Sequence, residues 1–147
     1  MLSRFSWFTR YRERKLEWLL AFYTLWFGVC VSLPPHSMAA PTFADALLLA
    51  PEWVWGMVYS VVGVIHIISL HVNGRGAWTP FARLFALFLN SQVFLALTLG
   101  IAQQNPWGTG VITYSFVAFG FCGAAFYSAA VDCGHEIKIW RARNAGS

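Results

Sequence analysis

Residues 18–44, 53–74 and 84–131 contain no charged side chain, and apolar positions dominate each of these stretches. A helix needs about 20 predominantly apolar residues to cross a bilayer core of roughly 30 Å. The first two stretches therefore admit one span each, and the third admits two. The pattern predicts an all-α polytopic integral membrane protein: a single domain of four transmembrane helices over about residues 14–33, 52–73, 80–102 and 109–131. Punctuation residues agree with these limits. Pro34-Pro35 stops the first helix, Pro51-Glu52 opens the second with an acid in its first turn, Pro80 opens the third, and Gln103-Gln104-Asn105-Pro106 interrupts the longest uncharged stretch. Thr42-Phe43-Ala44-Asp45 predicts the capped start of a short surface helix through Ala50. Ahead of the first span, Phe5, Trp7, Phe8 and Tyr11 alternate with Arg4, Arg10, Arg12 and Arg14, an amphipathic segment suited to headgroups.

Composition strengthens this picture. Of 147 residues, 58% are hydrophobic and 11% charged, against about 45–50% and 25% in an ordinary soluble domain. Four spans and their connections leave no room for a soluble catalytic domain. All ten basic residues fall on one side of the four-span topology, whereas the first loop carries only Asp45 and Glu52. The positive-inside rule then makes both termini cytoplasmic. Trp53, Trp55 and Trp107 are expected at the outer interface, and Trp78 and Trp140 at the inner one. The pI near 9.3 follows from this topology and does not argue for nucleic acid. A basic start, an apolar run and Ser37-Met38-Ala39-Ala40 resemble a signal peptide, but the run from Leu16 to Leu33 exceeds the usual core length and predicts a retained helix. Cys30, Cys122 and Cys133 sit in or beside spans and form no disulfide framework.

Candidate chemistry is sparse. On the second span Gly56, Tyr59, Ser60, Gly63, His66, Ser69 and Asn73 share one half of the helical wheel, opposite Met57, Val61, Val64, Ile65 and Ile68. The small, polar half is a helix–helix interface, and His66 is either a satisfied interhelical histidine or a relay, haem ligand or pore-lining group. Haem held between two histidines is disfavoured, since His36, His71 and His135 lie outside the depth of His66. Asp132-Cys133-Gly134-His135-Glu136, approached by His71, is the densest set of donors, and His71, Cys133 and His135 are its weak metal candidates. On the third span Asn90 shares a stripe with Arg83 and Leu97, while Gln92 points about 160° away. Such a helix needs partners on two sides, supplied either by a homo-oligomer or larger membrane assembly or by a small four-helix bundle that buries both faces internally. The fourth span carries a small-residue seam of Ser115, Ala118, Cys122, Ala125 and Ala129, beside Gly120 and Ala124. No nucleophile–base set, phosphate loop or acidic dyad is present, so no enzyme activity and no cofactor are expected.

Tyr11 to Leu20, the Leu33-Pro-Pro-His-Ser-Met38 run, His71-Val-Asn-Gly74 and Trp78-Thr-Pro80 resemble small polytopic membrane proteins encoded by tailed bacteriophages and prophages. That resemblance implies a setting, the virion or the host inner membrane, and brings no activity to transfer residue by residue. The leading expectation is a non-enzymatic membrane protein that works by oligomerising or by binding another membrane or phage protein. Its alternatives are a holin-like or channel-forming protein that permeabilises the membrane, and a histidine-ligated metal or haem subunit.

Overall fold

The computed structural model describes residues 14–34, 37–72 and 78–145, and all its regular structure is helical, with no strand among the described residues. Helix α1 is Lys15–Ser32. A 3-10 turn at Pro41–Phe43 leads into the short α2, Ala44–Leu49. Helices α3, Glu52–Val72, and α4, Thr79–Gln104, follow. The last helical run comprises α5, Thr109–Ser115, a stretch of wider π turns at Phe116–Phe121, and α6, Cys122–Ala145. The expected amphipathic segment before Arg14, the connection around Arg75, and His36 lie outside the described residues.

Three helices are long and apolar enough to cross a membrane: Glu52–Val72 with 21 residues, Thr79–Gln104 with 26, and Thr109–Ala142 with 34. The expected segments 52–73, 80–102 and 109–131 fall on these helices, and the final helix does not stop near Val131. It continues through the polar segment to Ala145, because no proline interrupts it and Gly134 alone is too weak a breaker. Helix α1 has 18 residues, about 27 Å at roughly 1.5 Å per residue, and carries Lys15 and Glu17 in its first turn. The expected start of α2 at Thr42 also differs, since no side chain caps it. Asp45 instead accepts a 2.7 Å hydrogen bond from Gln104 Nε2. Trp55 is buried rather than interfacial, and its indole donates to the Ala46 carbonyl at 3.0 Å.

The molecule is apolar outside as well as inside. Leu19, Phe22 and Trp26 on α1, Met57, Val61 and Ile68 on α3, Phe85 and Phe88 on α4, and Phe116 and Phe119 in the π stretch are all exposed. When the surroundings are as apolar as the core, hydrophobic burial cannot drive helices together, and close packing of small residues does so instead. The contact of α1 with α3 is built of small residues at backbone distance. A Cβ at Gly63 would lie 2.5 Å from the Leu25 backbone nitrogen, Gly28 stands against the Ser60 backbone, and Gly56 stands against Ser32. Helix α4 occupies the centre, packed on α3, on α2 through Gly100 and Ala46, and on the long C-terminal helix. In that last contact Ala118, Cys122, Ala125 and Ala129 are buried, and Ser115 is half-buried.

Glycine substitutions at these positions should therefore have opposite outcomes. Gly63→Ala forces a methyl against the α1 backbone and is expected to cost about 1–3 kcal/mol. At Gly123 a Cβ meets nothing within 4 Å, so Gly123→Ala is expected to be neutral or to stabilise by up to about 1 kcal/mol through helix propensity. Thermal unfolding of both variants in one detergent, beside wild type, checks the pair.

Candidate functional site

The polar side chains of the interior stack in layers along α4, on the stripe of Arg83 and Asn90. The first layer lies at the end of the bundle where α1 begins. Arg83 is fully buried, as is Glu17. The guanidinium grips the Glu17 carboxylate with two nitrogens, Nε at 2.9 Å and Nη2, while Nη1 donates to Asp132 Oδ2 at 2.7 Å. Arg14 Nη2 reaches the same Asp132 oxygen at 3.2 Å. Two guanidinium groups thus face two carboxylates, drawn from α4, α1, α6 and the residue preceding α1. A buried charge is tolerated only when it is paired and hydrogen-bonded, and the fork geometry of arginine meets that requirement for Arg83.

The second layer sits two turns deeper. Thr24, His66 and Asn90 are each 0% exposed. Asn90 Oδ1 accepts from the Thr24 hydroxyl at 2.5 Å, and that hydroxyl also stands 2.8 Å from the Leu20 carbonyl. Asn90 Nδ2 lies 3.0 Å from the Ala86 carbonyl and 3.1 Å from His66 Nδ1. A carbonyl can only accept, so Nδ2 is fixed as the donor, and its second N–H is received by His66 Nδ1. A neutral imidazole then carries its proton on Nε2. That nitrogen is buried and has no hydrogen-bond partner among the described residues. Beyond this layer the interior becomes aromatic: Tyr59, fully buried, donates to the Val93 carbonyl at 2.9 Å and packs against Phe27 and Phe94, with ring centroids at 4.8 and 5.1 Å.

The residues singled out from sequence fall into distinct groups. Gly56, Gly63 and His66 are buried and Ser60 is half-buried, all on the inward side of α3. Asn90 joins α1 to α3 through its amide. Gln92 is exposed and makes no hydrogen bond among the described residues. Of the weak metal candidates, Cys133 is buried while His71 and His135 are exposed. No three His, Cys, Asp or Glu side chains are grouped to hold a metal among the described residues.

Sequence reasoning missed Glu17 and Thr24. The signal was available: Glu17, Ala21, Thr24, Gly28 and Val31 recur at alternating steps of four and three, and all five are buried. Their chemical diversity masks the stripe in any pattern based on apolarity alone.

A recess of about 250 Å³ opens between α4 and the last helical run, lined by Leu87, Phe88, Phe119, Cys122 and Phe126. At its edge Ser91 donates to the Ala118 carbonyl at 3.1 Å, one of the carbonyls in the π stretch. Its walls are apolar and include no acid–base pair.

The chain matches no protein-family model, no curated protein and no solved structure.

Breaking the first layer from one side should be far worse than removing a matched pair. Arg83→Leu leaves Glu17 buried and uncompensated, with an expected loss of about 3–5 kcal/mol. Glu17→Leu/Arg83→Leu, which keeps the Arg14–Asp132 pair, should recover most of that loss. Unfolding midpoints of the single and double variants decide it, and equal destabilisation by both would contradict the pairing.

Proposed function

We propose that this chain is a non-enzymatic integral membrane protein that acts by associating with other membrane-embedded protein, as a homo-oligomer or as an accessory subunit. In this reading four helices cross a bacterial inner membrane, with α1 as the first span and both termini cytoplasmic, in the phage or prophage setting that the sequence resemblance implies.

The case for α1 as a span rests on its neighbours. The charge of Glu17 is neutralised by Arg83, the outward side chains Leu19, Phe22 and Trp26 are exposed and apolar, and the helix packs along α3 at backbone distance. Orientation rests on charge. The ion pairs hold Arg14, Arg83 and Asp132 at one end, Lys138 and Arg141 continue beyond Asp132 on α6, and Asp45 and Glu52 lie at the opposite end. Trp78 and Trp140 at the first end, with Trp53 and Trp107 at the second, are exposed as interfacial tryptophans are.

The observation that carries the functional reading is the contrast between two amides on α4. Asn90 is enclosed and hydrogen-bonded, whereas Gln92 stands on the outer surface near the middle of the helix without a partner among the described residues. Polar side chains at membrane depth belong against protein or in a water-filled cavity rather than in lipid. Of the groups that a pore would offer to water, Tyr59, His66 and Asn90 are enclosed within a single copy, which weighs against permeabilisation, whereas Gln92 is exposed.

Native mass spectrometry of the full chain in mild detergent tests the proposal. The expected result is a defined multimer, or a complex with a second membrane protein. A bare monomer under every gentle condition would overturn it. Rapid collapse of membrane potential on induced expression would favour the channel reading instead.

A further inference from the structure

Phe81, Phe85, Phe88 and Leu99 on the outer face of α4 are 44–58% exposed, Gln92 is exposed and Leu95 is half-buried. Together these six residues follow steps of four, three, four, three and four along the helix. That is the spacing of a left-handed coiled-coil seam, and it runs through most of the span on the side opposite Arg83, Asn90 and Leu97. Phe85, Gln92 and Leu99 take one of the two core positions of the seam; Phe81, Phe88 and Leu95 take the other. Gln92 is the single polar member.

We propose that a second copy of this chain packs its α4 against this face, parallel and related by a two-fold axis along the membrane normal, with Gln92 hydrogen-bonded to the partner's Gln92. The proposal rests on the association reading above and names the surface and the occupant.

The occupant follows from what Gln92 needs. A carboxamide has both a donor and an acceptor, and lipid chains at this depth offer neither. Two copies inserted with the same orientation place identical residues at identical depth, so each amide meets a group that can give and receive one hydrogen bond. A different partner would need its own polar group at that depth, whereas a second copy supplies one by symmetry. The face bears no charge that would repel its own image. One polar residue among apolar core positions is also a device that fixes the register and number of strands in a coiled coil.

Cysteine cross-linking in membranes tests this with the full chain. Cys122 and Cys133 are buried and are kept; the exposed Cys30 is replaced by Ser. Into that background go Phe85→Cys, Phe88→Cys and Gln92→Cys on the proposed seam, and Phe22→Cys and Val61→Cys on the outer faces of α1 and α3. Oxidation should link the three seam variants into dimers and leave the other two monomeric. In parallel, the monomer–dimer equilibrium in bilayers is measured by single-molecule photobleaching for wild type, Gln92→Leu and Gln92→Asn. Loss of the amide pair should weaken the dimer about three- to tenfold, with Gln92→Asn closer to wild type than Gln92→Leu. Dimers linked through Phe22→Cys or Val61→Cys alone would overturn the seam and leave the association reading standing. Seam cross-links with an unweakened Gln92→Leu dimer would overturn the amide pairing. A chain that stays monomeric at every density and binds no other protein would overturn both.

Discussion

A guanidinium enclosed among apolar helices requires counter-charges from elsewhere in the chain, and Arg83 takes one from α1 and one from α6. In doing so it sets the depth of both helices relative to α4. The effect carries into the next layer. The Glu17–Arg83 and Thr24–Asn90 contacts have the same sequence separation of 66, so α1 and α4 run in the same direction and stay in step over two turns. A slip of one helical turn would break the ion pair and the amide contact together, leaving buried polar groups without partners in both layers.

The opposite side of α1 is fixed by shape. Leu25 meets Gly63, Gly28 meets Ser60 and Ser32 meets Gly56. Each advance along α1 is matched by an equal retreat along α3, as two antiparallel helices in register require. No large side chain intervenes, so backbone lies almost on backbone, the contact that favours association when the surroundings are themselves apolar. Helix α1 is therefore held twice, by electrostatics toward α4 and by steric fit toward α3. The two constraints agree on one position, although its own sequence shows little amphipathic bias.

That weak bias explains what could and could not be read from the chain. Helix limits were legible because they depend on local rules: proline at starts and stops, and charges excluded from apolar stretches. The inward half of α3 was legible because glycine, serine and histidine stand out against valine and isoleucine at helical spacing. The partners of Arg83 were not, since Glu17 lies near the start of its helix, where a charge is unremarkable, and only the fold brings it beneath Arg83. Trp55 shows the opposite failure. Its type and position fit a membrane interface, but the Ala46 carbonyl is near enough to receive its indole N–H, and it turns inward. Continuation of the last helix to Ala145 was missed because polarity was read as an end of structure, when it marks only the end of the apolar stretch.

The interior chemistry of this bundle is committed to holding helices in place. Arg83 has all three of its nitrogens engaged, Asn90 joins three helices through one amide, and the Tyr59 hydroxyl closes on a carbonyl of α4. His66 Nε2 is the exception, an N–H with no partner among the described residues, but it is sealed at 0% exposure with no second reactive group hydrogen-bonded to it. Polar capacity also remains on the outer surface. On α4 that is Gln92, two residues from Asn90 and on the other side of the same helix. One helix thus carries both kinds of amide: Asn90 satisfied from within, and Gln92 exposed with no partner among the described residues.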